Sequence, residues 1–135
     1  MREILFKAKR IDNGEWVEGF YFCMVHDDGR HIHHFIMPLG VDLSLGTPIE
    51  KIQVEVNSNT ICQYTGLTDK NGNKIWENDV VYIPYERLED SYCKVIFRRG
   101  EFIGEMADGF EDCLLNRKTE VIGNIFDNPE LLKGE

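Results

Sequence analysis

Residues 63–81 read QYTGLTDKNGNKIWENDVV, and the interpretation of the whole chain depends on them. These nineteen positions hold three carboxylates, four amides and two glycines, among aromatic and apolar residues. Such a density of acids and amides is typical of a reaction centre, of a calcium loop, or of turns that join strands. Each of the three makes its own demand on spacing, so the sequence can be compared with each in turn.

The spacing argues against a calcium loop. Asp69, Asn71 and Asn73 alternate as the first ligands of an EF-hand loop do. That loop needs glycine at its sixth position, but Gly72 stands fourth here, and Val80 occupies the twelfth position where a bidentate glutamate belongs. We therefore expect no calcium site in this stretch.

A pair of carboxylates is the second interpretation. On one strand Glu77 and Asp79 would point to the same face, where two acids can split their pKa values and divide acid and base roles. No His, Ser or Lys constellation is tied to the pair. The alternative stays open from the sequence, but we predict no catalytic residue.

Turn chemistry is the third interpretation, and the one that we favour. Residues 69–73 would form a glycine-containing reverse turn, and residues 75–83 would enter a strand through a second turn. Asn and Asp stabilise turns by bonding their own backbone, and Asn is among the few non-glycine residues that tolerate positive φ. We therefore expect Asn78 to adopt a positive φ.

The first third of the chain predicts two antiparallel hairpins. Asn13 and Gly14 lie between apolar runs, and Asn-Gly in that setting is the strongest short hairpin signal. If these two residues are the whole loop, Ile11 faces Trp16 across the pair of strands. A second hairpin is expected to turn at residues 28–29, where Asp-Gly separates two further apolar runs.

All four histidines lie around the second turn. With residues 28–29 as the loop, alternation places His26, His31 and His33 on one face of the sheet and His34 on the other. Three imidazoles on one face could hold Zn²⁺, with a fourth position left for water or Asp27. A solvated hairpin tip or a protonation-linked contact explains the same residues. His-x-His is a weak motif, so we predict no metal and no cofactor.

The rest of the chain predicts further short strands. After a loop at residues 38–48, alternation resumes near residue 51 and recurs to the C-terminus, with a tight turn at Arg99-Gly100. A helical turn is expected within residues 107–119, and another at Asn128-Pro129. Many short strands at close spacing favour a small β-barrel or sandwich.

Composition and charge limit the classes of function. The net charge is −9, of which residues 101–135 carry −6, and an acidic balance opposes binding to phosphates. No apolar run approaches the roughly 20 residues that cross a bilayer, and charges interrupt the N-terminal apolar stretch. We expect a cytoplasmic protein. The four cysteines show no CxxC spacing and are expected to be thiols, mostly buried: Cys23, Cys62, Cys93 and Cys113.

Four motifs carry a family resemblance. Residues 63–81, together with MREILFKAKR at the start, WVEG at residues 16–19 and VIGNIFDNPELL at residues 121–132, closely resemble the YopX family. These are small proteins encoded mainly by bacteriophages and prophages of Gram-positive bacteria. The resemblance covers residues 1–132. One departure is visible, since residues 76–79 read Trp-Glu-Asn-Asp where the family often has Tyr-Glu-Gly-Asp.

The resemblance implies a β-rich fold with an SH3-like β-barrel in the later portion. We expect a mainly β chain, with an N-terminal antiparallel β-hairpin region at residues 1–54. An SH3-like barrel with a short C-terminal helical turn and tail is expected at residues 55–135. The two would form one compact unit of the YopX type.

The resemblance implies a phage or prophage origin, and it implies no established reaction and no catalytic residues. We expect a non-enzymatic interaction module with an unknown protein partner, and no membrane partner. The alternatives are a protein that binds nucleic acid, and a protein or enzyme that binds or converts a small metabolite or nucleotide. The sequence is also compatible with a homo-oligomer. SH3-like barrels often present aromatic residues at shallow binding surfaces. The candidates here are Tyr64, Trp76 and Tyr85.

Overall fold

The computed structural model describes residues 3–42, 44–84, 92–107, 109 and 115–132. In that part of the chain there are ten β-strands, one α-helix of four residues and two 3₁₀ turns. The chain divides into a first unit, Met1–Gln63, and a second unit, Tyr64–Glu135. The prediction of a mainly β fold is confirmed. Among these residues no helix has the length and apolar composition needed to cross a membrane.

The first unit is an antiparallel sheet in the order β4-β3-β2-β1-β5. Strand β5 begins in this unit, where its first two residues pair with β1, and continues into the second unit. A 3₁₀ turn at Ser58–Thr60 separates β4 from β5. The elements are β1 Phe6–Lys9, β2 Trp16–Val25, β3 Ile32–Pro38, α1 Ile49–Ile52, β4 Val54–Glu55 and β5 Cys62–Thr68.

The register of the first hairpin corrects the expected pairing. Lys9, and not Ile11, is the partner of Trp16, so the loop is longer than two residues. A two-residue type I′ turn needs positive φ at both central residues. Gly14 has a φ of 75°, but Asn13 is not at positive φ. The side chain of Asn13 instead accepts a hydrogen bond of 2.9 Å from the backbone N–H two residues on, which stabilises a wider turn.

The second hairpin has the expected register. The backbone N–H of His26 donates to the carbonyl of His31 over 2.9 Å, and the strand pairing continues from there to Pro38. Ile36 on β3 is fully buried, so its neighbours Phe35 and Met37 point to the opposite face of the sheet. We call the face of Ile36 the inner face and the opposite one the outer face.

The sheet of the first unit curls around its inner face. Its core cluster consists of Ala8, Ile36, Val54 and Val56. The chain beyond β4 returns to the end of β1, where Arg10 and Val56 form an isolated bridge. The N–H of Asn57 donates to the carbonyl of Lys9 over 2.9 Å in the same place. A cavity is lined there by residues of β1, of β3 and of the chain after β4, and we call this end of the curl the open end.

The second unit contains a four-stranded antiparallel sheet in the order β10-β7-β8-β9. Strand β6 pairs with the later part of β5. A core cluster is formed by Ile75, Val81, Ile83, Cys93 and Val95. The elements are β6 Lys74–Trp76, β7 Asp79–Tyr82, β8 Tyr92–Arg98, β9 Glu101–Met106, β10 Glu120–Asn124 and a second 3₁₀ turn at Pro129–Leu132.

The expected SH3-like barrel is not confirmed. Within the described ranges no strand pairing closes the four-stranded sheet, and β9 and β10 are its two edges. The second unit is therefore an open sheet with an attached β5–β6 pair.

Two of the expected turns are confirmed. Arg99 and Gly100 form the two-residue loop of the β8–β9 hairpin, with φ values of 56° and 83°, and their neighbours Arg98 and Glu101 pair. The 3₁₀ turn at Pro129–Leu132 follows Asn128 as predicted. The helical turn expected within residues 107–119 falls partly outside the described residues.

Cys62 and Cys93 are buried free thiols and Cys23 is exposed, while Cys113 lies outside the described residues.

Candidate functional site

The side chain of Asp69 organises the first turn of the stretch at residues 63–81. One carboxylate oxygen accepts the backbone N–H groups of Asn71 and Asn73, each over 2.9 Å. The other accepts the N–H of Val121 over 3.0 Å, from strand β10. Burial alone would raise the pKa of Asp69, but these backbone hydrogen bonds outweigh it and hold the pKa below its ordinary value. The acid is thus a structural anchor of the turn.

Asp79 has a similar role in the second turn. Its side chain is buried and accepts the backbone N–H of Trp76 over 2.8 Å. Asn78 has a φ of 71°, so the predicted positive φ is confirmed. Strand β7 begins at Asp79, so Glu77 does not share a strand with it. The same-face geometry that a pair of catalytic carboxylates would need is therefore not formed here.

Two of the three predicted aromatic candidates, Tyr64 and Trp76, are buried. Tyr64 and Trp76 are a cross-strand pair with ring centroids 5.5 Å apart, and they are only 8% and 4% exposed. Their burial does not favour a partner-binding role, which stays a prediction. Tyr85 lies outside the described residues.

The structure brings three histidines together at the tip of the β2–β3 hairpin. The ring of His26 lies 5.8 Å from that of His31 and 4.9 Å from that of His33. His31 Nδ1 is 2.6 Å from a carboxylate oxygen of Asp28, and His33 Nδ1 is 2.7 Å from one of Glu55. In the described part of the chain, no three His, Cys, Asp or Glu side chains are arranged to hold a metal ion.

His34 is separate from that cluster, as alternation predicts. Its Nδ1 lies 2.6 Å from the hydroxyl of Tyr21, and the two rings stack with their centroids 5.8 Å apart. Tyr21 is the cross-strand partner of the buried Ile36. His34 therefore belongs to the inner face of the curled sheet, at its open end.

The outer face of the hairpin carries a strip of apolar side chains that the sequence reasoning missed. Phe22 and Phe35 pair across the strands, with stacked rings 5.3 Å apart. Phe20 is 49% exposed and Met24 is 46% exposed. We call the following set the outer strip: Phe20, Phe22, Met24, Phe35 and Met37.

Alternation along β2 and β3 was the available signal for this strip. This alternation pattern was ambiguous. The alternate residues of β2 form two sets, one for each face of the sheet, and both sets are mostly apolar, so the sequence does not indicate which face is exposed to solvent. Aromatic rings on both strands placed opposite each other would have been a better indicator. The expected pairing of His26 with His31 fixes the register of β2 and β3, and the same register places Phe22 opposite Phe35.

Comparisons with known proteins agree in fold. A family model described as YopX protein matches residues 6–133. The chain is similar to the crystal structure of protein EF1440 from Enterococcus faecalis, with 28% sequence identity and a TM-score of 0.57. That match covers 98% of this chain and 99% of the other. No curated protein matches the chain.

Proposed function

This chain belongs to the YopX family, and from that premise we propose that it is a non-enzymatic interaction module that binds a protein partner through the outer strip. A phage or prophage origin, and action in the cytoplasm of the bacterial host, are parts of the proposal that rest on the family resemblance alone. The single observation that carries the proposal is the exposed apolar strip on the β2–β3 hairpin.

The exposed side chains of the outer strip support this surface. Phe20 and Met24 are two of the twelve large apolar side chains that are exposed in the described residues, and they flank Phe22 on one face of β2. Scattered exposed apolar residues are ordinary, but a contiguous cross-strand set is not, because burying it in a partner would release ordered water. Aromatic residues and methionine are also the types that interfaces enrich.

The size of the outer strip indicates what kind of partner fits it. Each side of a stable protein interface buries on the order of 800 Å². Two half-exposed and three partly buried side chains present much less than that. A short apolar segment of another protein therefore suits the strip better than a whole subunit does. The binding is expected to be weak to moderate for the same reason.

Nucleic-acid binding is less well supported. The only tight basic cluster of the first unit divides between the two faces. The ammonium groups of Lys7 and Lys9 lie over the ring of Trp16, at 4.5 and 5.4 Å from its centroid. The guanidinium of Arg10 instead forms a two-point contact with Asp12, at 2.8 and 2.9 Å. A phosphate backbone needs several cations along one path.

The test begins with affinity capture from prophage-bearing or infected cells and continues with the purified partner. Isothermal titration then compares the wild type with the Phe20→Ser/Met24→Ser double variant. We expect the variant to bind about tenfold to a hundredfold more weakly, because buried aromatic anchors dominate interface energetics. Both side chains are about half exposed, so the variant should fold.

The matched control is Phe97→Ser in the second unit, where Phe97 is similarly exposed but lies far along the sequence on β8. It should bind the partner as the wild type does. A partner that binds the double variant and the wild type equally would contradict the proposal. Capture of nucleic acid in place of a protein would contradict it as well.

A further inference from the structure

A cavity of about 510 Å³ lies at the open end of the curled sheet in the first unit, on its inner face. This volume is within the range of small-molecule sites, and the mouths of curled or closed sheets are places where such sites occur. The end of β1, the start of β3 and the chain after β4 line it together. The cavity is separate from the outer strip, whose side chains point to the opposite face.

His34 is a polar group of this cavity that is held in one orientation. Burial, together with the nearby Cys23 thiol, raises the pKa of Tyr21, so the phenol keeps its proton at neutral pH. A protonated phenol can donate to Nδ1 of His34, which lies 2.6 Å away. The proton of a neutral imidazole is then on Nε2. In this tautomer the N–H donor of His34, a residue that lines the cavity, is Nε2.

Arg10 is the second donor. Two of the five guanidinium N–H groups are taken by Asp12, at 2.8 and 2.9 Å, which orients the group and leaves three. The remaining N–H groups can donate to a second carboxylate, because hydrogen bonds from a guanidinium to a charged oxygen are strong. Glu55 also lines the cavity, but its carboxylate is bonded to His33, 2.7 Å away on the outer face.

The walls of the cavity supply the apolar part of a binding site. Val56 is buried and belongs to the core cluster, whereas Ile11 and Ile32 line the cavity with half or more of their surface exposed. From the donors on one side and these apolar walls on the other, we propose that this cavity binds a small molecule that carries a carboxylate on an apolar body. Nothing in this inference depends on the outer strip.

Three probes of equal size test the assignment: benzoate, benzamide and benzylamine. Each is titrated into ¹⁵N-labelled full-length protein to about 20 mM, since a fragment of this size is expected to bind with a Kd on the order of 1 mM. Saturable shifts at Arg10, Ile32 and His34 are expected with benzoate. Benzamide should bind several-fold more weakly, and benzylamine should leave these signals unshifted.

Two variants examine the donors separately, because either could perturb the local fold. His34→Gln and Arg10→Gln should each weaken benzoate binding about fivefold or more, as each removes a donor to a charged acceptor. Phe20→Ser, on the outer face, is the matched control and should bind benzoate unchanged. Dispersed amide spectra confirm that each variant is folded.

Three results would overturn the assignment. One is the absence of saturable shifts with benzoate. Another is equal binding of benzylamine, which would show that charge and donors do not matter. The third is benzoate binding that is unchanged in both donor variants, which would place the probe elsewhere on the molecule.

Discussion

Asp69 and Asn78 each hold one turn of the second unit by a different property. Asp69 uses its two carboxylate oxygens, which accept backbone N–H groups from its own turn and from β10. Asn78 uses its tolerance for a positive φ, which is 71° here. Both residues act on the backbone rather than on a substrate. The density of acids and amides at residues 63–81 is therefore explained by local backbone chemistry.

Substitutions at Asn78 test the left-handed conformation. Asn78→Gly should leave the free energy of unfolding nearly unchanged, because glycine adopts positive φ readily. Asn78→Val should lower it by about 1 kcal/mol or more, since a β-branched side chain is strained there. Chemical denaturation measures both. Equal stability of the valine variant and the wild type would contradict the assigned turn.

Substitution of Asp69 predicts a pH-dependent difference. At neutral pH, Asp69→Asn should lower the free energy of unfolding by about 1–3 kcal/mol, because an amide cannot accept all of the N–H groups that the carboxylate accepts. The folded-state pKa of Asp69 is below its ordinary value, so the stabilisation is present above that ordinary value, about 3.9. It is lost as the pH falls through the lower, folded-state pKa.

Urea denaturation at pH 7, and at acid pH values from about 5 down to 2, measures this difference. The gap between wild type and Asp69→Asn should narrow in the acid window below the ordinary pKa. Glu50→Gln, at an exposed carboxylate of α1, is the control and should follow the wild type. A gap that is absent at pH 7, or that persists undiminished at the acid end, would disprove the anchor role.

At the scale of elements, two hairpins with a glycine in the turn, β1–β2 and β8–β9, form turns of different length. The difference lies in the conformation of the residue that precedes the glycine. Arg99 and Gly100 both adopt positive φ and close a two-residue loop. Asn13 does not, although Asn-Gly is the stronger signal in sequence. Arg10 reaches Asp12 within the first loop, and this contact fits the wider turn. The Asn-Gly signal alone therefore does not fix a two-residue turn in this hairpin.

The approach of β2 to β3 at Gly19 gives a prediction for the first unit. A Cβ at Gly19 would lie 1.9 Å from the carbonyl oxygen of Met37, so alanine there must push the strands apart. We expect Gly19→Ala to cost about 2 kcal/mol or more. Gly40→Ala is the comparison, because Gly40 has a φ of 69° but open space around it. Thermal unfolding should rank Gly19→Ala as the more damaging change.

The histidine tip of the hairpin is predicted to carry no stoichiometric zinc. In the part of the chain that the structure describes, no three His, Cys, Asp or Glu side chains are placed to hold a metal ion, although the rings of His26, His31 and His33 are close together. Elemental analysis of protein purified without a His-tag should find well under one zinc per chain. One tightly held zinc, absent from the His31→Ala/His33→Ala double variant, would reverse this interpretation.

At the scale of the whole molecule, charge opposes a general affinity for nucleic acid. The chain carries −9, and its two tight basic clusters, within residues 7–10 and at residues 98–99, are short. Each phosphate that a protein neutralises contributes about −0.9 to the slope of log K against log salt, so strong binding needs several cations. An acidic protein with so few clustered cations is poorly suited to a phosphate backbone.

We predict no binding to random duplex DNA tighter than about 10 μM at physiological salt, far weaker than specific DNA binders. Fluorescence anisotropy with a labelled duplex of about 30 base pairs, at two salt concentrations, measures this. Submicromolar affinity that falls steeply with salt, and that is lost in the Arg98→Ala/Arg99→Ala double variant, would make nucleic-acid binding the leading function.

The sequence by itself determined the features that depend on a few neighbouring residues. These are the mainly β character, the family, the register of the second hairpin, the tight turn at residues 99–100 and the positive φ of Asn78. The physical reason is that φ preferences and Asx hydrogen bonds are set within a few residues of the chain. Such chemistry does not depend on distant parts of the fold.

Only the tertiary structure decided which surfaces are exposed. Residues of β2 alternate between two apolar sets, so the sequence could not say that Phe20 and Met24 face outward while Tyr21 faces the core. That choice depends on the packing of Ile36 with Val54 and Val56, which come from strands distant in sequence. The open sheet of the second unit and the cavity beside His34 were decided in the same way, by long-range strand pairing that no local pattern encodes.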